Sequence, residues 1–340
     1  MPDPSRRAFA LGLAACAGLA VAGLARRPAD PLVVIGGGPA GAAAALALRR
    51  ADPRAAVLLV ERDPARLAAE DLDAPTARFG PPRGGAGLAR LTAAGVAVML
   101  DDVMEIDWAA ARLELLSGRR IGFDRVFLAP GTAARSEAIA GLDAHARHAW
   151  PAAWGNAREA RRLAAQLAAL PAAGHVVLRL PPAGPGHPRA ALGRALALAQ
   201  HLAAQRPAAR LTVLDADPGS TLAPAFARAA AMRGLSRQVS WLTAADGAGL
   251  RAVDARRGLL ETGAGPIHAD VVNFIPPQQA GTIAVTAGLV DDSGWCPCDG
   301  AGRSARQPGA VILGDARKGA TRTLAAALAS ASRIAPVRAG

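Results

Sequence analysis

The stretch Gly36-Gly37-Gly38-Pro39-Ala40-Gly41 stands between an apolar run, Pro31 to Ile35, and an alanine-rich helical pattern, Ala42 to Arg50. A second apolar run, Ala56 to Val60, follows and is closed by Glu61, 20 residues after Gly41. Strand, glycine turn, helix and acid-tipped strand make a β-α-β unit suited to a dinucleotide. Gly36 makes the tight turn, Gly38 lets a pyrophosphate approach the backbone, and Gly41 lets the helix pack close to the strand. Pro39 and Ala40 complete the loop as further cofactor-binding candidates. The helix start adds the positive end of its dipole. Glu61 is placed to accept hydrogen bonds from an adenosine ribose, and an acid there argues against a 2′-phosphate.

The remaining pattern repeats this theme. Leu88 to Ala94 reads as a helix, and Val96 to Leu100, Arg112 to Leu116 and Arg125 to Leu128 read as extended. From near His148 a second β-α-β pattern begins: helix Ala157 to Leu170, strand His175 to Leu180, helix Ala190 to Ala204, strand Arg210 to Leu214. A strand at Ala310 to Leu313 and a helix from Thr321 to Ile334 close the chain. The expected fold class is therefore α/β, with two doubly wound dinucleotide-binding-type domains, the second inserted in the first. The expected division is a leader over 1–30, a cofactor domain formed by 31–150 and 271–340, and the inserted module over 151–270.

With 340 residues, 51% of them hydrophobic, two cores of ordinary size are affordable. The net charge of +12 raises nucleic acid as a partner, but almost all of it is arginine, with Lys318 the only lysine. Arginines such as Arg158, Arg161 and Arg162 follow helical stretches without the aromatic residues that base stacking needs, so a solvated basic surface is the expectation and nucleic acid is not.

The leader reads Ser5-Arg6-Arg7-Ala8-Phe9-Ala10-Leu11, an apolar run to Ala25, then Arg26-Arg27-Pro28. This is the pattern of a twin-arginine export signal. The run is shorter than the ~20 residues that cross a bilayer, and Gly23-Leu24-Ala25 offers a cleavage site. A periplasmic protein, not integral to the membrane once processed, is expected; retention as an anchor is the alternative. Cys16 lies in the leader, which leaves Cys296 and Cys298 to the mature chain.

Two further segments resemble those of two-dinucleotide flavoproteins. Phe123 to Gly131 resembles their strand and Ala-Thr-Gly-like turn, with Ala129 and Gly131 as cofactor-binding candidates. Val311-Ile312-Leu313-Gly314-Asp315-Ala316 resembles their late Gly-Asp motif, in which Asp315 would bond the ribityl chain and the next helix would face the flavin. The cofactor so implied is FAD.

Longer runs narrow the resemblance. Asp270-Val271-Val272-Asn273-Phe274-Ile275-Pro276-Pro277-Gln278-Gln279-Ala280-Gly281, Ala287-Gly288-Leu289 and Gly294-Trp295-Cys296-Pro297 resemble the flavoprotein subunit of flavocytochrome c sulfide dehydrogenase, as do His148-Ala149-Trp150 and the Pro-Pro loop after the His175 strand. The resemblance implies electron flow from a small reduced sulfur substrate through FAD to a cytochrome c.

It also implies a redox cysteine pair, one in the proline-rich loop and one after Gly-Asp-Ala. Here the loop Pro181 to Pro188 carries His187, Arg317 follows Ala316, and Pro64 to Asp73 replaces the family's aromatic and cysteine-containing segment. A shortened family member lacking the C-terminal interface domain is expected, and no catalytic residue is assigned. Rival readings are a non-catalytic relative that binds FAD or a partner, and an NADH-dependent flavin reductase. The second loop's Gly184-Pro185-Gly186, lacking a third glycine, speaks against NADH.

Overall fold

A computed structural model describes residues 30–67, 87–154, 157–182, 188–235 and 238–334. The leader with Cys16, the part of Pro64 to Asp73 beyond residue 67, Gly184 to Gly186 and His187 lie outside the described residues.

In chain order the first part comprises β1 (Leu32–Ile35), α1 (Pro39–Ala51), β2 (Val57–Glu61), α2 (Pro64–Leu67), α3 (Gly87–Ala93), β3 (Ala97–Leu100), β4 (Val103–Asp107), β5 (Arg112–Leu115), β6 (Arg120–Gly122), β7 (Arg125–Leu128), β8 (Thr132–Ala134) and α4 (Ala144–Ala149). The middle part comprises α5 (Ala157–Ala168), β9 (His175–Leu180), α6 (Pro188–Gln205), β10 (Arg210–Asp215), α7 (Leu222–Ala231), β11 (Val239–Thr243), β12 (Leu250–Asp254), β13 (Leu259–Thr262), β14 (Gly265–His268) and β15 (Val271–Phe274). The last part adds β16 (Gln278–Ala280), α8 (Thr282–Thr286), β17 (Ala310–Ile312), a 3-10 turn at Gly314–Ala316 and α9 (Leu324–Ser332).

The fold is α/β, built on two sheets of parallel strands. The first runs β17-β7-β1-β2-β3 and the second β11-β10-β9-β15. Their strands read as near-continuous apolar runs because both faces are covered. Alternate residues separate cleanly: Val33, Ile35, Leu58, Val60, Val126 and Leu128 join one core with Leu113 of β5 and Ala284 of α8, whereas Val34, Leu59 and Phe127 join another with Ala44 of α1 and Ala327 of α9. Burying each such aliphatic chain contributes roughly 1.5–3 kcal/mol, which favours helices and hairpins that close over both faces.

Each parallel sheet carries a three-stranded antiparallel ribbon, β4-β5-β6 on the first and β12-β13-β14 on the second. The sequence showed only the β5 part of the first ribbon. Its β6 strand has no fully buried residue, so its apolar alternation is faint.

The expected division between residues 270 and 271 falls inside the second sheet. β15 is the edge strand of that sheet, parallel to β9 with Val271 opposite Val176. Its four residues are all buried, and Asn273 is tied down as well, donating to Pro151 O at 2.8 Å. The chain leaves the second sheet after Phe274, and β16 pairs with β8 in a two-stranded sheet of its own. The closing helix starts at Leu324 and not Thr321, because the Thr323 hydroxyl accepts the Ala326 N–H at 3.1 Å and caps it.

Among the described residues, no helix is long and apolar enough to cross a membrane.

Candidate cofactor site

The C-terminal ends of β1, β2 and β7 meet at the glycine turn. Gly36 has φ +99°, and a Cβ there would fall 2.3 Å from the Ala129 carbonyl oxygen. At Gly41 a Cβ would fall 1.8 Å from the Gly36 carbonyl oxygen. Both glycines serve close packing. Gly38 differs: a Cβ there meets nothing within 4 Å. It is the N-cap of α1, with no side-chain cap, Pro39 in the first turn and no acidic residue there. Backbone N–H groups at an uncapped helix start, open to approach, are the donor set a pyrophosphate requires.

Glu61, buried at the end of β2, accepts the Gly37 N–H at 2.6 Å and the Asp63 N–H at 2.8 Å. The carboxylate thus ties the turn down, while each oxygen keeps lone-pair capacity for a further donor. A cavity of about 170 Å³ opens beside it, lined by Gly36, Glu61, Arg66, Ala129, Pro130 and Gly281. Gly131 has φ +63° and its carbonyl accepts the Gly281 N–H at 2.9 Å, joining the β7 turn to α8.

Gly314 and Asp315 lie at the end of β17, next to β7. Gly314 has φ +64°, and a Cβ there would approach the Ala40 Cβ to 3.0 Å. The Gly314 N–H donates to the Ser330 hydroxyl of α9 at 2.8 Å. The structure therefore brings all ten sequence candidates, Gly36 through Asp315, to one sheet edge. Residues of this edge that the sequence did not single out are Arg66, Thr282, Ile283 and Arg322. Nothing distinguished those arginines from the many others in the chain.

Residues 30–167 match the family model of pyridine nucleotide-disulphide oxidoreductases, and residues 160–276 match the central part of the sulfide dehydrogenase [flavocytochrome c] flavoprotein chain. Over these two regions the chain resembles the pyridine nucleotide-disulphide oxidoreductases. Among solved structures it is similar to reduced CoADR-RHD of Bacillus anthracis, with a TM-score of 0.65 and 16% identity over 91% of this chain and 56% of that one. The sulfide:quinone oxidoreductase of Aquifex aeolicus gives 0.62 and 18% over 85% and 69%, and a ferredoxin reductase of Rhodopseudomonas palustris gives 0.68 and 18% over 90% and 76%. At such identities the likeness is one of fold. The chain spans 56% of the length of the Bacillus anthracis protein.

Cys296 and Cys298 sit beside the Gly-Asp turn. Cys296 is fully buried, its thiol pushed up to about 12 by burial first and then by Cys298 and Asp291. Its N–H donates to Ala316 O at 2.9 Å. Arg317, which stands where the family resemblance implies a cysteine, is committed: Nε donates to Cys298 Sγ at 3.2 Å and Nη2 to Asp299 O at 2.9 Å.

In the second sheet, Asp215 ends β10 at the place Glu61 holds in the first. It accepts from the Ser220 hydroxyl at 2.5 Å and Trp241 Nε1 at 3.2 Å. Both donors reach the same oxygen, Oδ2. Among the described residues no cluster of metal-ligating side chains is present.

Proposed function

We propose that the chain is an exported FAD-dependent oxidoreductase, drawing electrons from a small reduced sulfur compound and passing them to a cytochrome c. The observation that carries the cofactor reading is the open Gly38 N-terminus of α1, set between a buried Glu61 and the Asp315 turn on one sheet edge. FAD, when bound, supplies the capacity to take two electrons and release them singly. The backbone at Gly38 would receive its pyrophosphate, Glu61 its adenosine ribose and Asp315 its ribityl hydroxyls. The match to the central part of a sulfide dehydrogenase flavoprotein chain supports the sulfur donor and the cytochrome acceptor, and Ser5-Arg6-Arg7 supports periplasmic delivery.

A second reading, a relative that binds FAD and turns over little, is favoured by Cys296. A buried thiol with its pKa near 12 is no nucleophile at neutral pH. A nicotinamide donor is the weakest reading, since the second loop's Gly184-Pro185-Gly186 lacks a third glycine.

A visible spectrum of the purified protein, taken before and after anaerobic additions, tests all three. Flavin bands that sulfur compounds bleach, with cytochrome c reduced afterwards, support the proposal. Bands that only dithionite bleaches favour the second reading, and rapid bleaching by NADH favours the third. A protein purified without flavin, and unable to take it up, sinks the cofactor assignment.

A further inference from the structure

Arg322 directly precedes the cap of α9 and has a backbone that L-residues seldom adopt, with φ +52°. Such a conformation persists where its surroundings over-determine it, and it gathers at functional sites. The surroundings here are specific. The guanidinium lies 3.5 Å from the centroid of the Trp295 ring, in stacking contact. Its only hydrogen bond among the described residues is a long one, Nη1 to Ala320 O at 3.4 Å. Its Nε is buried and has no partner. A buried N–H left without an acceptor is uncommon enough to call for an explanation.

The cation is also electrically coupled to the Gly-Asp turn. Burial lowers the Arg322 pKa from its ordinary value, and the Asp315 charge acts in the opposite direction. Gly314, next to Asp315, packs on Ala40 of the fingerprint helix. Asp315 thus links Arg322 electrostatically to the turn that packs on the fingerprint helix.

We propose that Arg322, held on Trp295, is the cation that stabilises the negative charge of the reduced flavin ring. This rests on the FAD reading above. With a single long bond among the described residues, the half-buried guanidinium presents its η nitrogens as donors for the ring's polar edge, and the Trp295 platform keeps it from relaxing toward water. Arg317, the other arginine of this loop, is tied to Cys298 and Asp299. The positive end of α9 adds to the same field.

The test uses full-length protein carrying FAD, with sulfite as an anionic probe and dye-coupled titration of the midpoint potential. In Arg322→Gln, sulfite affinity is expected to fall at least tenfold. The two-electron potential is expected to drop by about 30 mV, the equivalent of a tenfold change. Arg322→Lys should restore most of both. Trp295→Leu, which keeps the charge and removes its platform, should shift both in the same direction by less.

An Arg322→Gln protein with full flavin and unchanged sulfite affinity and potential overturns the proposal alone. If Arg322→Gln loses its flavin, Trp295→Leu carries the test, and no shift there is equally fatal. A wild-type protein that cannot take up FAD overturns the underlying cofactor reading as well, which separates the two failures.

Discussion

Arg317 donates from Nε to the Cys298 sulfur at 3.2 Å, while Cys296, two residues earlier, is closed off from solvent altogether. One thiol lies partly open beside a cation, and the other is enclosed in the core under the first sheet. The two are therefore chemically unequal. Brief iodoacetamide treatment of the native protein, mapped by mass spectrometry, should label Cys298 and leave Cys296 untouched until denaturant is added. Equal labelling would mean that the Cys296 strand opens readily.

Sulfide should reduce the bound flavin slowly, even where dithionite bleaches it at once. Neither position at which the family resemblance implies a redox cysteine carries one, and buried Cys296 cannot attack at neutral pH. Stopped-flow mixing decides this. Fast bleaching that survives changing Cys296 and Cys298 together to Ser would refute the cysteine argument, and fast bleaching lost in that variant would make the pair catalytic.

Gly38→Val should fold normally and retain no flavin, because its side chain enters the open space proposed for the pyrophosphate. Gly41→Ala is expected to behave oppositely, losing on the order of 3 kcal/mol of stability because its Cβ collides with the Gly36 carbonyl. Denaturant midpoints and flavin absorbance, measured side by side, separate the two outcomes. Full flavin occupancy in Gly38→Val would show that the pyrophosphate does not lie there.

Glu137 and Arg179 form an ion pair at 2.5 Å, the guanidinium only 4% exposed and stacked 4.6 Å from the Phe274 ring centroid. Glu137→Gln leaves that cation buried without a counter-charge, and a loss of about 3–5 kcal/mol is expected. Replacing both, Glu137→Leu with Arg179→Met, should cost less than the sum of the single changes. Urea unfolding of the set checks this, and strictly additive losses would contradict a coupled pair.

Stability should fall as the pH drops below about 6.5, in part through His175. Its Nδ1 bonds the His268 carbonyl at 2.6 Å, so that nitrogen carries the proton and Nε2 accepts the Thr212 hydroxyl at 2.8 Å. Burial first, and nearby Arg210, lower its pKa below the ordinary 6.5, against the His268 hydrogen bond and Asp270. The unfolded chain therefore binds a proton before the folded one does, and stability is lost from about pH 6.5 down to the folded pKa. Thermal midpoints across this range should decline less steeply in His175→Gln, and identical slopes would remove His175 from the account.

Much of this was written locally in the chain. A β-α-β unit with three spaced glycines and a closing acid depends on neighbours within about 30 residues, so turn, helix start and Glu61 could be read directly from it. The buried strands likewise declared themselves as apolar runs. Tertiary structure decided what depends on distant partners. β15 reads equally well as a strand of either sheet, and only pairing with β9 assigns it to the second. The opposite fates of Arg317 and Arg322 had no local signal, because one arginine looks like another until a sulfur or an indole ring is set beside it. Both contacts, Cys298 at 19 residues from Arg317 and Trp295 at 27 from Arg322, form only when the Gly294–Cys298 segment folds back beside the Gly-Asp turn.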